Sequence, residues 1–117
     1  MNHRRSMNPP NPDFERVVRE NFLEQRVMSL IGAELSTVAP GLVEICLPFR
    51  PDLTQQDGFL HAGVITTIAD SAAGYAAYTM MPAGSRVLSV EFKVNLVRPR
   101  EAKHLLRTPR SSSQAAL

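Results

Sequence analysis

Apolar residues recur at helical spacing near the start of the chain: Phe14, Val17, Val18 and Phe22, then Val27, Leu30 and Ile31. That period predicts an amphipathic helix over residues 13–31, interrupted near Gln25. Asn11-Pro12 offers a cap followed by a first-turn proline, and Gly32 suits the C-terminal end. Residues 33–38 and 42–49 flank Pro40-Gly41 and read as a strand, a turn and a second strand. In the second strand Val43, Ile45, Leu47 and Phe49 share one face, and Glu44 lies on the other.

Residues 61–81 follow a different rule. Ala69, Ala72, Ala73, Gly74, Ala76 and Ala77 make a thin helix, apolar on nearly every side and stopped by Pro82 and Gly84. Such a helix belongs in a core, where a curved sheet can wrap it closely. Residues 86–97 then alternate, with Val90, Phe92, Val94 and Leu96 set against Ser89, Glu91, Lys93 and Asn95. Beyond Arg100 neither period survives. The order is helix, hairpin, buried helix and long strand: an α+β domain over residues 13–99, between tails at 1–12 and 100–117 that are expected to lack structure.

At 117 residues the chain has room for one core. Its net charge is +2, and the excess is local: Arg98, Arg100, Lys103, Arg107 and Arg110 face one acid, Glu101. No aromatic or recognition-helix pattern accompanies them, so a solvated tail is expected rather than nucleic-acid binding. The single cysteine, Cys46, excludes an intrachain disulfide and reads as a small packed side chain. His3, His61 and His104 are scattered, so neither a metal nor another cofactor is expected. No signal-peptide pattern opens the chain, and residues 61–81 carry too many polar groups for a lipid-facing span. The expected location is the cytoplasm.

Between Asp57 and Arg86 the one charged side chain is Asp70. An unpaired carboxylate in a core costs several kcal/mol or a raised pKa. A chain that keeps one there either bonds it, here to Thr66 or Ser71, or uses it in chemistry. Upstream lie Gln55 and the turn His61-Ala62-Gly63. If the helix begins near His61, the amides of Ala62 and Gly63 fall among its unpaired N–H groups, at the positive end of the dipole. They suit an acyl carbonyl whose oxygen becomes anionic in the transition state. Asp70 would be the base or nucleophile, and Gln55 would orient substrate or water. His61 has a positioning role, with a plain helix cap as the structural alternative. Tyr75 and Tyr78 are expected to pack.

Spacing adds a condition. His61 and Asp70 are separated by about 13.5 Å along a helix and roughly 180° around it. Both ends can serve one site only if a second subunit, related by a two-fold axis, supplies one of them.

The run from Gln55 through Gly58-Phe59-Leu60-His61-Ala62-Gly63-Val64 to Ala69-Asp70, followed by residues 89–99, resembles the hotdog-fold acyl-CoA thioesterases. The branch it most resembles is the phenylacetate-pathway thioesterase. The resemblance implies a long central helix wrapped by an antiparallel sheet, a homodimer or homotetramer, and an acyl-CoA substrate. It implies that the Ala62 amide polarises the thioester carbonyl and that Asp70 attacks it or activates water from the partner subunit. Gln55 would then hold water or substrate, and Ser89 matches an assisting hydroxyl. Gly63 belongs to the acyl-binding turn, and Val97, Arg98 and Pro99 lie where coenzyme A is contacted. Two departures stand out. Ala62 replaces the usual first glycine, and residues 101–117 do not continue the family's last two strands, as in a truncated or altered end. A poorly folding chain is the expectation from that end, and a non-catalytic acyl-CoA-binding module or inactive remnant is the alternative function.

Overall fold

The structure, a computed structural model, describes residues 8–86 and 106–108. The helical period at the start forms α1 (Phe14–Glu24) and α2 (Arg26–Ile31), which meet at Gln25. There the backbone leaves the helix, with φ −79° and ψ 92°. Asp13 holds the N-cap position of α1, and Asn11 lies two residues before it. Its side chain accepts from the Asp13 amide at 3.0 Å and its carbonyl from the Phe14 amide at 3.1 Å, so it closes a turn leading into α1. Gly32 ends α2 at φ 78°, a left-handed conformation that glycine adopts without a Cβ penalty.

The hairpin pairs β1 (Glu34–Ala39) with β2 (Leu42–Leu47) in antiparallel register, Ala39 opposite Leu42 and Leu35 opposite Ile45. Between Leu35 and Thr37 the register shifts, leaving Ser36 as the extra residue of a bulge. Alternation along β2 correctly puts Val43, Ile45 and Leu47 on one face. The other face is covered as well: Glu44 is 3% exposed and Cys46 4%. Ser36 and Thr37 both donate to Glu44 Oε1, at 2.9 and 3.4 Å, and Arg107 Nη1 lies 3.2 Å from the same oxygen.

Arg107 belongs to β3 (Leu106–Arg107), which pairs antiparallel with β2, Leu106 opposite Leu47 and Arg107 opposite Cys46. The sheet order is therefore β1-β2-β3. This corrects the expectation of a structureless tail at 100–117 over the residues described there. Thr108 extends the pairing. Its amide donates to the Ile45 carbonyl at 2.9 Å and its hydroxyl accepts from the Ile45 amide at 2.8 Å. A strand this short leaves no sequence period, and its place is set by the open edge of β2 and by these bonds.

The small-residue segment forms α3 (Ala62–Tyr78), which lies across β2. Ile65, Ile68, Ala69, Ala72 and Ala76 bury against Val43, Ile45 and Leu47, with Val18, Phe22 and Met28 closing the core from α1 and α2. At its far end the fully buried Thr79 donates to the Ala76 carbonyl at 2.6 Å and accepts from the Gly41 amide at 2.8 Å. That bond ties the end of α3 to the hairpin turn. Among the described residues no helix is long and apolar enough to cross a membrane.

Candidate active site

The loop after β2 is built to deliver the start of α3. A 3-10 turn (Pro51–Leu53) leads into a short antiparallel bridge between Thr54 and Leu60. The Gln55 amide donates to the Phe59 carbonyl at 2.8 Å, and the His61 amide donates to the Leu53 carbonyl at 2.9 Å. Gly58, at φ 87°, closes the tip, its amide donating to the Gln55 carbonyl at 3.1 Å. A turn followed by a left-handed residue is a common way to close a tight hairpin, and glycine takes that φ without strain. Gln55 and His61 are thus brought to the same end of α3.

Gln55 is partly committed to this loop. Its side-chain carbonyl accepts from the Asp57 amide and from the Phe59 amide at 3.3 Å. Its Nε2 group makes no hydrogen bond among the described residues, so the nitrogen is the end available to orient a ligand.

His61 is the N-cap of α3, with extended backbone, φ −64° and ψ 133°. Its Nδ1 accepts from the Gly63 amide at 2.9 Å, which assigns the proton of the neutral ring to Nε2. The cap reading of His61 is therefore realised in full, and the Gly63 amide, expected to be open, is taken. Val64 and Ile65 both donate to the His61 carbonyl, at 3.0 and 3.2 Å. That leaves Ala62 as the one first-turn amide of α3 with no partner among the described residues, on an exposed residue at the positive end of the helix. Gly63 has a steric reason as well: a Cβ there would stand 3.1 Å from His61 Nδ1 and 3.3 Å from Cε1.

Asp70 is half-buried midway along α3 and is engaged in an interaction. Ser71, one of the two structural partners considered for it, gives its hydroxyl proton elsewhere, to Gln25 Oε1 at 3.0 Å. Eight residues of helix place Asp70 about 12 Å from Ala62 along the axis, so one chain does not bring them together. Ser89, Val97, Arg98 and Pro99 lie outside the described residues. Sequence reading missed the polar cluster of Asn21, Gln25, Ser71 and Tyr75; the break at Gln25 was its one legible sign. Burial raises the Tyr75 phenol above its ordinary pKa, against the opposing hydrogen bond from Gln25.

A long helix laid across an antiparallel sheet is the arrangement of the hotdog class of folds. Residues 57–106 match the family model of the thioesterase superfamily. A thioesterase family protein of Silicibacter pomeroyi, known from its crystal structure, is 47% identical, with a TM-score of 0.77 over 80% of this chain and 68% of that one. The chain belongs to the thioesterase superfamily. The PaaI protein of the Escherichia coli phenylacetic acid degradation operon shares the fold at 15% identity, with a TM-score of 0.72 over 81% of this chain and 67% of that one. A Saccharolobus solfataricus protein provisionally named an esterase is 28% identical over 97 residues, 83% of this chain and 64% of its own length. A second from the same organism is matched over 52% of its length, so the chain spans between about half and two thirds of these curated relatives.

Proposed function

We propose that the protein hydrolyses acyl-CoA thioesters to a free acid and coenzyme A, in the manner of the phenylacetate-pathway branch, as a homodimer or homotetramer in the cytoplasm. The observation that carries this reading is the Ala62 amide at the head of α3, without a partner among the described residues, in a chain of this superfamily. The thioester oxygen accepts from that N–H and becomes anionic as the carbonyl carbon is attacked. Asp70 of the second copy supplies the attack in one of two ways. It takes a proton from a water that adds to the carbonyl carbon, or it adds directly to form an anhydride that water then opens to the free acid. In either case the C–S bond breaks and the thiolate takes up a proton to leave as the coenzyme A thiol. The partner must supply it because of the helix length between the two groups. The Nε2 group of Gln55 and the Nε2–H of His61 are the donors that the loop leaves for orienting substrate or water. Ser89 supplies an assisting hydroxyl, and Gly63, Val97, Arg98 and Pro99 contact the substrate.

Release of free thiol from aromatic, medium-chain and hydroxylated acyl-CoAs tests the reading. Turnover of at least one, abolished by Asp70→Asn with binding retained, is the expected result. Binding without turnover in the unaltered protein would replace it with a non-catalytic acyl-CoA module.

A further inference from the structure

Ile65 and Ile68 key the first half of α3 into the core. Beyond them Ala69, Ala72, Ala73, Gly74, Ala76 and Ala77 raise little ridge for a groove to hold. Directional bonds add to the register over that half, and one residue concentrates them. At the break between α1 and α2, the Gln25 side chain spans a full turn of α3. Its Oε1 accepts from Ser71 Oγ at 3.0 Å and its Nε2 donates to the Tyr75 hydroxyl at 2.8 Å. Tyr75 passes its own proton to Asn21 Oδ1 at 2.9 Å. With its proton on Asn21, the phenol accepts from the Gln25 amide nitrogen, while the amide oxygen takes the Ser71 proton. The Phe22 ring packs against Tyr75 at a centroid distance of 6.2 Å, holding the phenol in place. Ser71 is the residue immediately after Asp70.

We propose that Gln25 is a positioning residue for hydrolysis: by clamping Ser71 and Tyr75 it sets the angle at which α3 presents the Asp70 carboxylate. This rests on the reading of Asp70 as the hydrolytic carboxylate. Side-chain ends stand about 5–6 Å from a helix axis, so a rotation of about 10° moves the carboxylate by about 1 Å. A misplacement of that size can cost on the order of 100-fold in rate. The break in the first helix then has a purpose. An uninterrupted helix would point the Gln25 side chain with its regular period.

The experiment compares the full chain with Gln25→Met, which keeps volume and loses both bonds, and with Tyr75→Phe, which loses one of them. Thiol release is read as kcat and KM separately, and the ¹³C signal of the Asp70 carboxyl is followed by NMR. Gln25→Met should lower kcat 10- to 100-fold with KM within twofold, and Tyr75→Phe should lower it less. The Asp70 signal should be displaced in the same order. Unchanged kcat with an unmoved Asp70 signal overturns the proposal, as does a loss of rate that merely follows the unfolded fraction. Should the unaltered protein and Asp70→Asn release thiol equally, the hydrolytic reading fails. The Asp70 signal then still decides whether Gln25 sets the helix register. If Gln25→Met does not fold, Tyr75→Phe carries both readouts.

Discussion

The Nδ1 atom of His61 accepts the amide hydrogen of Gly63 at 2.9 Å, so the imidazole lies directly over a residue with no side chain. Gly63→Ala would put a methyl 3.1 Å from that nitrogen, and the ring would have to give way. Two effects on stability oppose each other. Alanine gains about 0.8–1 kcal/mol over glycine in helix propensity, and a weakened cap costs about 1 kcal/mol. The expected outcome is a thermal midpoint within a few degrees of the unaltered protein together with a clear fall in kcat, because the displaced ring crowds the neighbouring Ala62 amide. Full activity in Gly63→Ala would show that the ring position does not matter to the reaction.

Thr108→Val tests the docking of the third strand. The Ile45 amide is buried and finds its acceptor in the Thr108 hydroxyl at 2.8 Å. Valine keeps the shape and removes that oxygen. A buried N–H left without a partner costs about 1–3 kcal/mol. Thermal or urea unfolding should register that loss, and an unchanged midpoint would mean that the bond does not form.

Tyr75 gives a stability change with alkali. Its phenol titrates above its ordinary value because burial disfavours the phenolate. A group whose proton is held more tightly in the folded state contributes stability that is fully present below its unfolded pKa. That contribution is lost as pH rises from there through the higher folded value. The melting midpoint should therefore begin to fall above about pH 10. Tyr75→Phe should lack that component of the fall while being less stable at neutral pH. Equal alkaline slopes in the two proteins would rule the linkage out.

What the sequence disclosed and what it hid divide along physical lines. Gln25, Gly32 and Gly41 announced the helix break, the helix end and the hairpin turn, because each rests on local backbone preference. The thin helix carrying Asp70 was legible for the same reason, and its start at His61-Ala62 came from the turn chemistry before it. The bulge at Ser36 and the pairing of Leu106–Arg107 with β2 were not legible. Both are decided by what lies opposite in space, and a two-residue strand carries no period of its own. Glu44 shows the same limit. Alternation tells which face a side chain takes, and nothing in it tells that Arg107 and two hydroxyls meet the carboxylate there. At the site, the residue types could be read but their bonds could not: the Gln55 carbonyl and the Gly63 amide are both engaged locally.

Ala62→Pro separates the proposed chemistry from the fold more cleanly than any other change. Proline is favoured at the first position of a helix, where the missing N–H would have no intrahelical acceptor. Its ring restricts the residue before it to extended backbone, and His61 is already there at φ −64° and ψ 133°. The substitution should therefore leave the melting midpoint within a few degrees. It removes the one hydrogen-bond donor assigned to the thioester oxygen, and loss of such a donor costs about 100- to 1,000-fold in kcat. Mixing then locates the second half of the site. Neither Ala62→Pro nor Asp70→Asn should turn over alone. If the amide and the carboxylate of one site come from different subunits, a mixed dimer holds one site with both defects and one with neither. After unfolding and joint refolding at equal amounts, about a quarter of the unaltered activity should return. If both groups came from the same chain, every site in the mixture would carry a defect and no activity would return.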